Sequence, residues 1–93
     1  MSLVSIRIPT PLRALTGGAA DVEVEAQTVG SALVAAEKLH EGLKGRLLTE
    51  DGELRGFVNV FLEDDDIRTL DGLATKVKEG ASISVLPAVA GGR

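Results

Sequence analysis

The sequence predicts an α+β domain: a mixed β-sheet with one main helix packed on one face. Three observations predict it. Apolar residues recur at every second position near both ends and again in the middle of the chain. One stretch between the second and third alternating segments carries apolar residues at helical spacing instead. The apolar residues are aliphatic, since aromatics make up only 2% of the 93 residues while hydrophobic residues make up 44%. That is enough for one modest core and one domain.

Residues Leu3 to Ile8 read as a half-buried strand, with Val4, Ile6 and Ile8 on one face. Pro9-Thr10-Pro11 ends it, because proline has no N–H for a ladder. Thr16-Gly17-Gly18 is a turn signal, and Asp21 to Ala26 alternates again with Val22, Val24 and Ala26 inward. The two strands form an antiparallel hairpin with a wide, irregular loop. Gly17-Gly18 is no phosphate loop, as no Lys-Ser/Thr follows it.

Thr28 stands where a helix N-cap belongs. Val29, Ala32, Leu33, Ala36, Leu39 and Leu43 then form the apolar stripe, with Gly30 a weak spot in the first turn. Glu41-Gly42 marks the end, and Leu47 and Leu48 pin the connection to the core. Asp51-Gly52 turns the chain into Phe57 to Leu62, the best strand of the sequence. An acidic run, Glu63 to Asp66, leads to a short strand at Ile67-Arg68, then to one helical turn within Leu73 to Val77. Lys78-Glu79-Gly80 turns into the last strand, Ser82 to Ala88, with Ile83 and Val85 inward. The first and last strands are both strongly patterned and belong inside the sheet. A right-handed crossover through the helix makes them or their neighbours parallel. This order is the plan of the β-grasp, or ubiquitin-like, fold.

Composition excludes several chemistries. There is no cysteine, hence no disulfide, no thiolate-held metal and no thiol nucleophile. His40 is the only histidine and reads as an exposed residue near the helix C-terminus. No serine sits on a nucleophile elbow. The expectation is that the chain is not an enzyme and binds no cofactor or metal. The net charge of −4 and the scattered basic residues oppose nucleic-acid binding. No apolar run approaches about 18 residues, and the first residues lack a secretory pattern, so a cytoplasmic protein off the membrane is expected. Glu63 to Asp66 lacks EF-hand spacing and reads as a solvated turn that blunts a sheet edge. Phe57, Phe61 and Leu86 should share the sheet face away from the helix, with Asn59 among them. They form either a contact patch or a minor core under a loop.

The strand Ser82 to Ala88 runs into Val89-Ala90-Gly91-Gly92-Arg93. Paired glycines beside a terminus do not help a core, since they order at a high entropic cost and pack nothing. They look like a frayed end, but they also let a backbone enter a slot too narrow for side chains. The sequence divides into a domain, residues 1–88, and a flexible tail, residues 89–93.

Leu86-Pro87-Ala88-Val89-Ala90-Gly91-Gly92 resembles the end of the ThiS/MoaD-type ubiquitin-like sulfur carriers, especially the CysO-like branch. Ile8-Pro9-Thr10 with Thr16-Gly17-Gly18, Phe57-Val58-Asn59-Val60, Asp65-Asp66-Ile67-Arg68 and Gly72-Leu73-Ala74-Thr75 extend the resemblance along the chain. It implies a carrier whose Gly92 carboxylate is adenylated at the expense of ATP by an E1-like enzyme of the MoeB/ThiF type and becomes a thiocarboxylate. A PLP-dependent cysteine synthase, or another sulfur-accepting enzyme, would take the sulfide. Val89, Ala90 and Gly91 would bind as an extended strand, and Phe57, Phe61 and Leu86 would face the E1-like partner. Arg93 departs from the pattern and implies prior trimming, for which a JAMM-type metalloprotease is a candidate. The competing reading is a ubiquitin-like modifier or a non-catalytic β-grasp interaction module.

Overall fold

The computed structural model describes residues 2–56 and 58–87. The expectations for Phe57, for Ala88 at the end of the last strand and for the tail, residues 89–93, lie outside the described residues. The elements are β1 (Ser2–Arg7), β2 (Asp21–Ala26), α1 (Val29–Leu39), β3 (Val58–Leu62), β4 (Asp65–Asp66) and β5 (Ser82–Pro87). They build a five-stranded sheet in the order β2-β1-β5-β3-β4. β1 pairs antiparallel with β2 and parallel with β5, and β3 pairs antiparallel with both β4 and β5. The first and last strands are thus interior neighbours, as the patterning predicts.

Alternation sorts side chains between the faces. Val4, Ile6, Val22, Val24, Val60, Ile83 and Val85 are buried under α1, whose own stripe is Val29, Ala32, Leu33 and Ala36. Ile6, Leu33 and Ile83 are fully buried; burying an aliphatic side chain of that size contributes about 1.5–3 kcal/mol. Leu47 and Leu48 are buried as expected. Both sheet edges are blunted: β2 presents Asp21, Glu23 and Glu25 to solvent, and β4 is only two residues long.

Thr28 caps α1 reciprocally with Ser31. The Ser31 N–H donates to Thr28 Oγ1 at 3.1 Å, and the Thr28 N–H donates to Ser31 Oγ at 3.0 Å. Gly30 has a packing reason. A Cβ there would lie 3.0 Å from the carbonyl oxygen of Leu73, so glycine lets α1 settle on the turn at 72–74.

Four expectations are corrected. The hairpin loop is not irregular throughout: Thr10–Thr16 forms a 3-10 helix, entered by Pro9 and Pro11 and closed by Gly17 in the left-handed region. α1 stops at Leu39, which is 60% exposed and not part of the core. It lies at the margin of the stripe, about 80° round the helix from Val29, and Leu43 on the following 3-10 turn is fully buried instead. The short strand is Asp65–Asp66, not Ile67-Arg68. Asp66 caps a 3-10 turn at Ile67–Thr69 by accepting from the Arg68 N–H at 2.9 Å, which pulls those residues out of the ladder. The helical turn expected in Leu73 to Val77 is Gly72–Ala74, and Val77 is buried beyond it.

Gly42 joins the two connections. A Cβ at this position would lie 2.8 Å from the carbonyl oxygen of Leu15, a backbone atom in the 3-10 helix Thr10–Thr16. Gly42→Ala is therefore expected to destabilise the protein by about 1–3 kcal/mol through overpacking. Urea unfolding checks this: the midpoint should fall with the slope unchanged.

Candidate functional site at the tail root and outer sheet face

β5 is an interior strand that pairs with β1 as far as Ser84 and with β3 as far as Pro87, where it ends. Pro87 is the register partner of Val58 at the start of β3, and Leu86 partners Asn59. The root of the tail is thus fixed by the sheet.

The face of the sheet away from α1 carries Ser5 and Arg7 from β1, Ser82, Ser84 and Leu86 from β5, and Asn59 and Phe61 from β3. Phe61 sits opposite Ser84, one diagonal step from Leu86. Leu86 is 44% exposed and Phe61 is half-buried. The structure therefore brings Phe61, Leu86 and Asn59 together. Towards β2 the face becomes polar, and Arg7 pairs with Asp21 at 3.4 Å. That pair is well exposed and contributes little to stability.

The acidic turn after β3 is used structurally. Glu63 adopts a positive φ of 56°, and its carboxylate accepts from the Ser82 N–H at 2.9 Å. The Arg68 guanidinium, hydrogen-bonded to the Asp66 carboxylate at 2.7 Å, holds that carboxyl below its usual range. Among the described residues no group of His, Cys, Asp and Glu is placed to hold a metal ion. No described helix is long and apolar enough to cross a membrane. His40 is the C-cap of α1.

One arrangement has no counterpart in the local sequence pattern. A single oxygen of half-buried Glu37, Oε2, accepts from the N–H groups of Gly45, Leu47 and Leu48 at 3.2, 3.2 and 3.1 Å. Arg55 Nε donates to the Gly45 carbonyl at 2.9 Å. Together they fix residues 44–48, including Arg46, beside the end of β5.

What remains is a small ubiquitin-like β-grasp domain that presents the root of a Gly-Gly tail from its central strand. The ThiS family model matches residues 6–92. The chain belongs to the ThiS family. It is 41% identical over 91 residues to the sulfur carrier protein CysO of Mycobacterium tuberculosis, covering 96% of this chain and 98% of that protein. Its fold matches CysO in the crystal structure of the Amycolatopsis orientalis BexX/CysO complex with a TM-score of 0.85 and 42% identity, over 92% of this chain and 96% of the other. It is 46% identical over 65 residues to small archaeal modifier protein 3 of Haloferax volcanii, covering 70% of each chain. The CysO relatives are carrier proteins, in agreement with the expectation that the chain is not an enzyme.

Proposed function

We propose that the chain is a sulfur carrier that works through Gly92. The observation that supports this most is the near full-length identity to a CysO sulfur carrier, together with a family match that runs through Gly92. The chemistry is consistent with the residues present. A carboxylate is a poor electrophile. Attack of a Gly92 carboxylate oxygen on the α-phosphorus of ATP expels pyrophosphate and gives an acyl-adenylate. Attack by sulfide on that carbonyl then expels AMP and leaves a thiocarboxylate. The sulfur nucleophile is built on the main chain, so a chain without cysteine can carry it.

An E1-like enzyme of the MoeB/ThiF type uses ATP and a sulfur donor to carry out both steps in this reading. A PLP-dependent cysteine synthase is the favoured acceptor, in the cytoplasm. Val89, Ala90 and Gly91 enter the partner as an extended strand, while Phe57, Phe61 and Leu86 meet it with the sheet face. Docking on a partner is in keeping with the relative crystallised with BexX. With Arg93 attached, Gly92 has no carboxylate to activate. Removal of the residues beyond Gly92 therefore comes first, by a JAMM-type or other protease.

A second reading is favoured by the likeness to an archaeal modifier protein: Gly92 is activated in the same way but ends in an isopeptide with a target lysine. The intact mass of the protein purified from its own cells separates the two. Loss of Arg93 with one oxygen replaced by sulfur is the expected result. Adducts linked through Gly92 to lysines, with no thiocarboxylate, would overturn the carrier reading in favour of the modifier.

A further inference from the structure

All three prolines of the chain, Pro9, Pro11 and Pro87, line one small pocket at the end of β5. Leu12, Val58, Val85 and Leu86 complete its apolar wall, and Arg46 is its one charged residue. Its volume is about 110 Å³. Cofactor and drug-sized ligands need about 300–1,000 Å³, so this pocket admits a single side chain.

The walls are set in advance. Pro9 holds an extended backbone, and its carbonyl accepts from the Leu12 N–H at 2.9 Å. Arg13 Nε donates to the Ile8 carbonyl at 3.0 Å. Val58 and Pro87 are register partners in the sheet. Arg46 stands on the turn that Glu37 fixes, its own N–H donating to the Leu43 carbonyl at 2.8 Å. Proline rings have restricted φ and no N–H. Such a wall loses little entropy when filled, and it leaves few donors to desolvate. Arg46 is exposed and makes no ion pair among the described residues, on a protein whose net charge is −4.

Position supplies the rest. Pro87 precedes Gly92 by five residues (92 − 87). Extended chain spans at most about 3.3–3.6 Å per residue, so an enzyme holding Gly92 in its active site has that residue within about 18 Å of Pro87, close enough for its surface to reach the pocket. We infer that this pocket anchors the enzyme that receives the tail: one aliphatic side chain of that enzyme fills it, with a carboxylate of the enzyme on Arg46. The inference rests on the carrier reading. It adds a second anchor to the sheet-face patch, with Leu86 bordering both.

The test uses the chain ending at Gly92 and its ATP-dependent activating enzyme. Dissociation constants and adenylate formation are measured on the same samples, after a thermal melt of each variant. Arg46→Glu should weaken binding at least about tenfold and blunt its salt dependence, while Arg46→Lys stays within about threefold. Leu12→Phe, which fills the pocket, should weaken binding by about tenfold as well. Methyl signals of Leu12, Val58 and Val85 should shift on titration, and those of Val34 on the exposed face of α1 should not. Wild-type adenylation with unchanged binding of Arg46→Glu and Leu12→Phe would overturn the pocket and leave the carrier reading standing. Should Leu12→Phe melt early, Arg46→Glu decides, because its side chain is in solvent. Absence of any adenylate on the wild-type chain removes the carrier reading, and this inference with it.

Discussion

A chain ending at Gly92 is expected to form an acyl-adenylate with ATP and its activating enzyme, and the chain that retains Arg93 is not. The reason is stoichiometric before it is steric. With Arg93 attached, the Gly92 carbonyl belongs to a peptide bond and has no oxygen to offer the α-phosphorus. The arginine carboxylate is one residue too far along and carries a side chain where the slot expects none. Substituting the neighbouring glycine tests the slot itself. In Gly91→Val on the trimmed chain, a β-branched side chain stands where the carrier reading calls for bare backbone. Displacement of a reacting group by about 1 Å can cost about 100-fold in rate, and a loss of at least that size in kcat/KM is expected. The fold should not register the change, since the packed core of the described residues ends at Val85, before the tail begins. Pyrophosphate release and intact mass read the adenylate, and a thermal melt reads the fold. Equal adenylation of the chains ending at Gly92 and Arg93 would show that the reacting group is not the Gly92 carboxylate.

Much of the architecture could be read in advance because it depends on local periodicity. Val4, Ile6, Ile83 and Val85 alternate in the sequence, and their strands lie side by side in the sheet. Thr28 also declares the start of α1 without help from tertiary structure. The readings that failed concern places where a tertiary or capping contact overrides a local pattern. Leu39 keeps helical spacing but falls where the helix ends. Ile67 looks like a strand residue, yet the Asp66 cap turns it into a 3-10 helix. Thr10 to Thr16 has Pro9 just before it and Pro11 in its first turn, and nothing in its periodicity separates a 3-10 helix from a loop.

The candidate site divides in the same way. Phe61 and Leu86 were legible as neighbours because strand alternation places them on one face. Arg46 was not legible. It follows a glycine in a stretch with no period, far in sequence from Pro9 and Pro87, and only the packing of two connections against the end of β5 brings them together. Glu37 was hidden for the opposite reason. It sits within a regular helix, where an acidic residue off the apolar stripe reads as solvent-facing, yet its carboxylate is spent on backbone donors eight to eleven residues later.

That carboxylate leads to the largest stability effect expected of a single side chain outside the apolar core. Glu37→Ala leaves the N–H groups of Gly45, Leu47 and Leu48 without their shared acceptor. Water can reach the half-buried site in part, which lowers the penalty. Hydrogen bonds to charged groups still contribute about 1.5–3 kcal/mol, and an unsatisfied buried donor costs about 1–3. A total loss of about 2–4 kcal/mol is expected, from a stability of about 5–15 kcal/mol. For a domain of this size that corresponds to a fall in Tm of about 8–30 °C. Glu37→Gln should fall between, because its amide oxygen can accept in the same place but without the charge. The loss should be local before it is global. Amide exchange at Gly45, Leu47 and Leu48 should quicken ahead of exchange at Ile6 and Ile83, since the turn opens without unpairing the sheet. Binding gives an independent readout. If Glu37 holds Arg46 at the tail root, Glu37→Gln should weaken association with the activating enzyme at temperatures where it remains folded. Uniform acceleration of exchange with unaltered binding would instead confine Glu37 to a general structural role, and would detach the turn at residues 44–48 from partner docking.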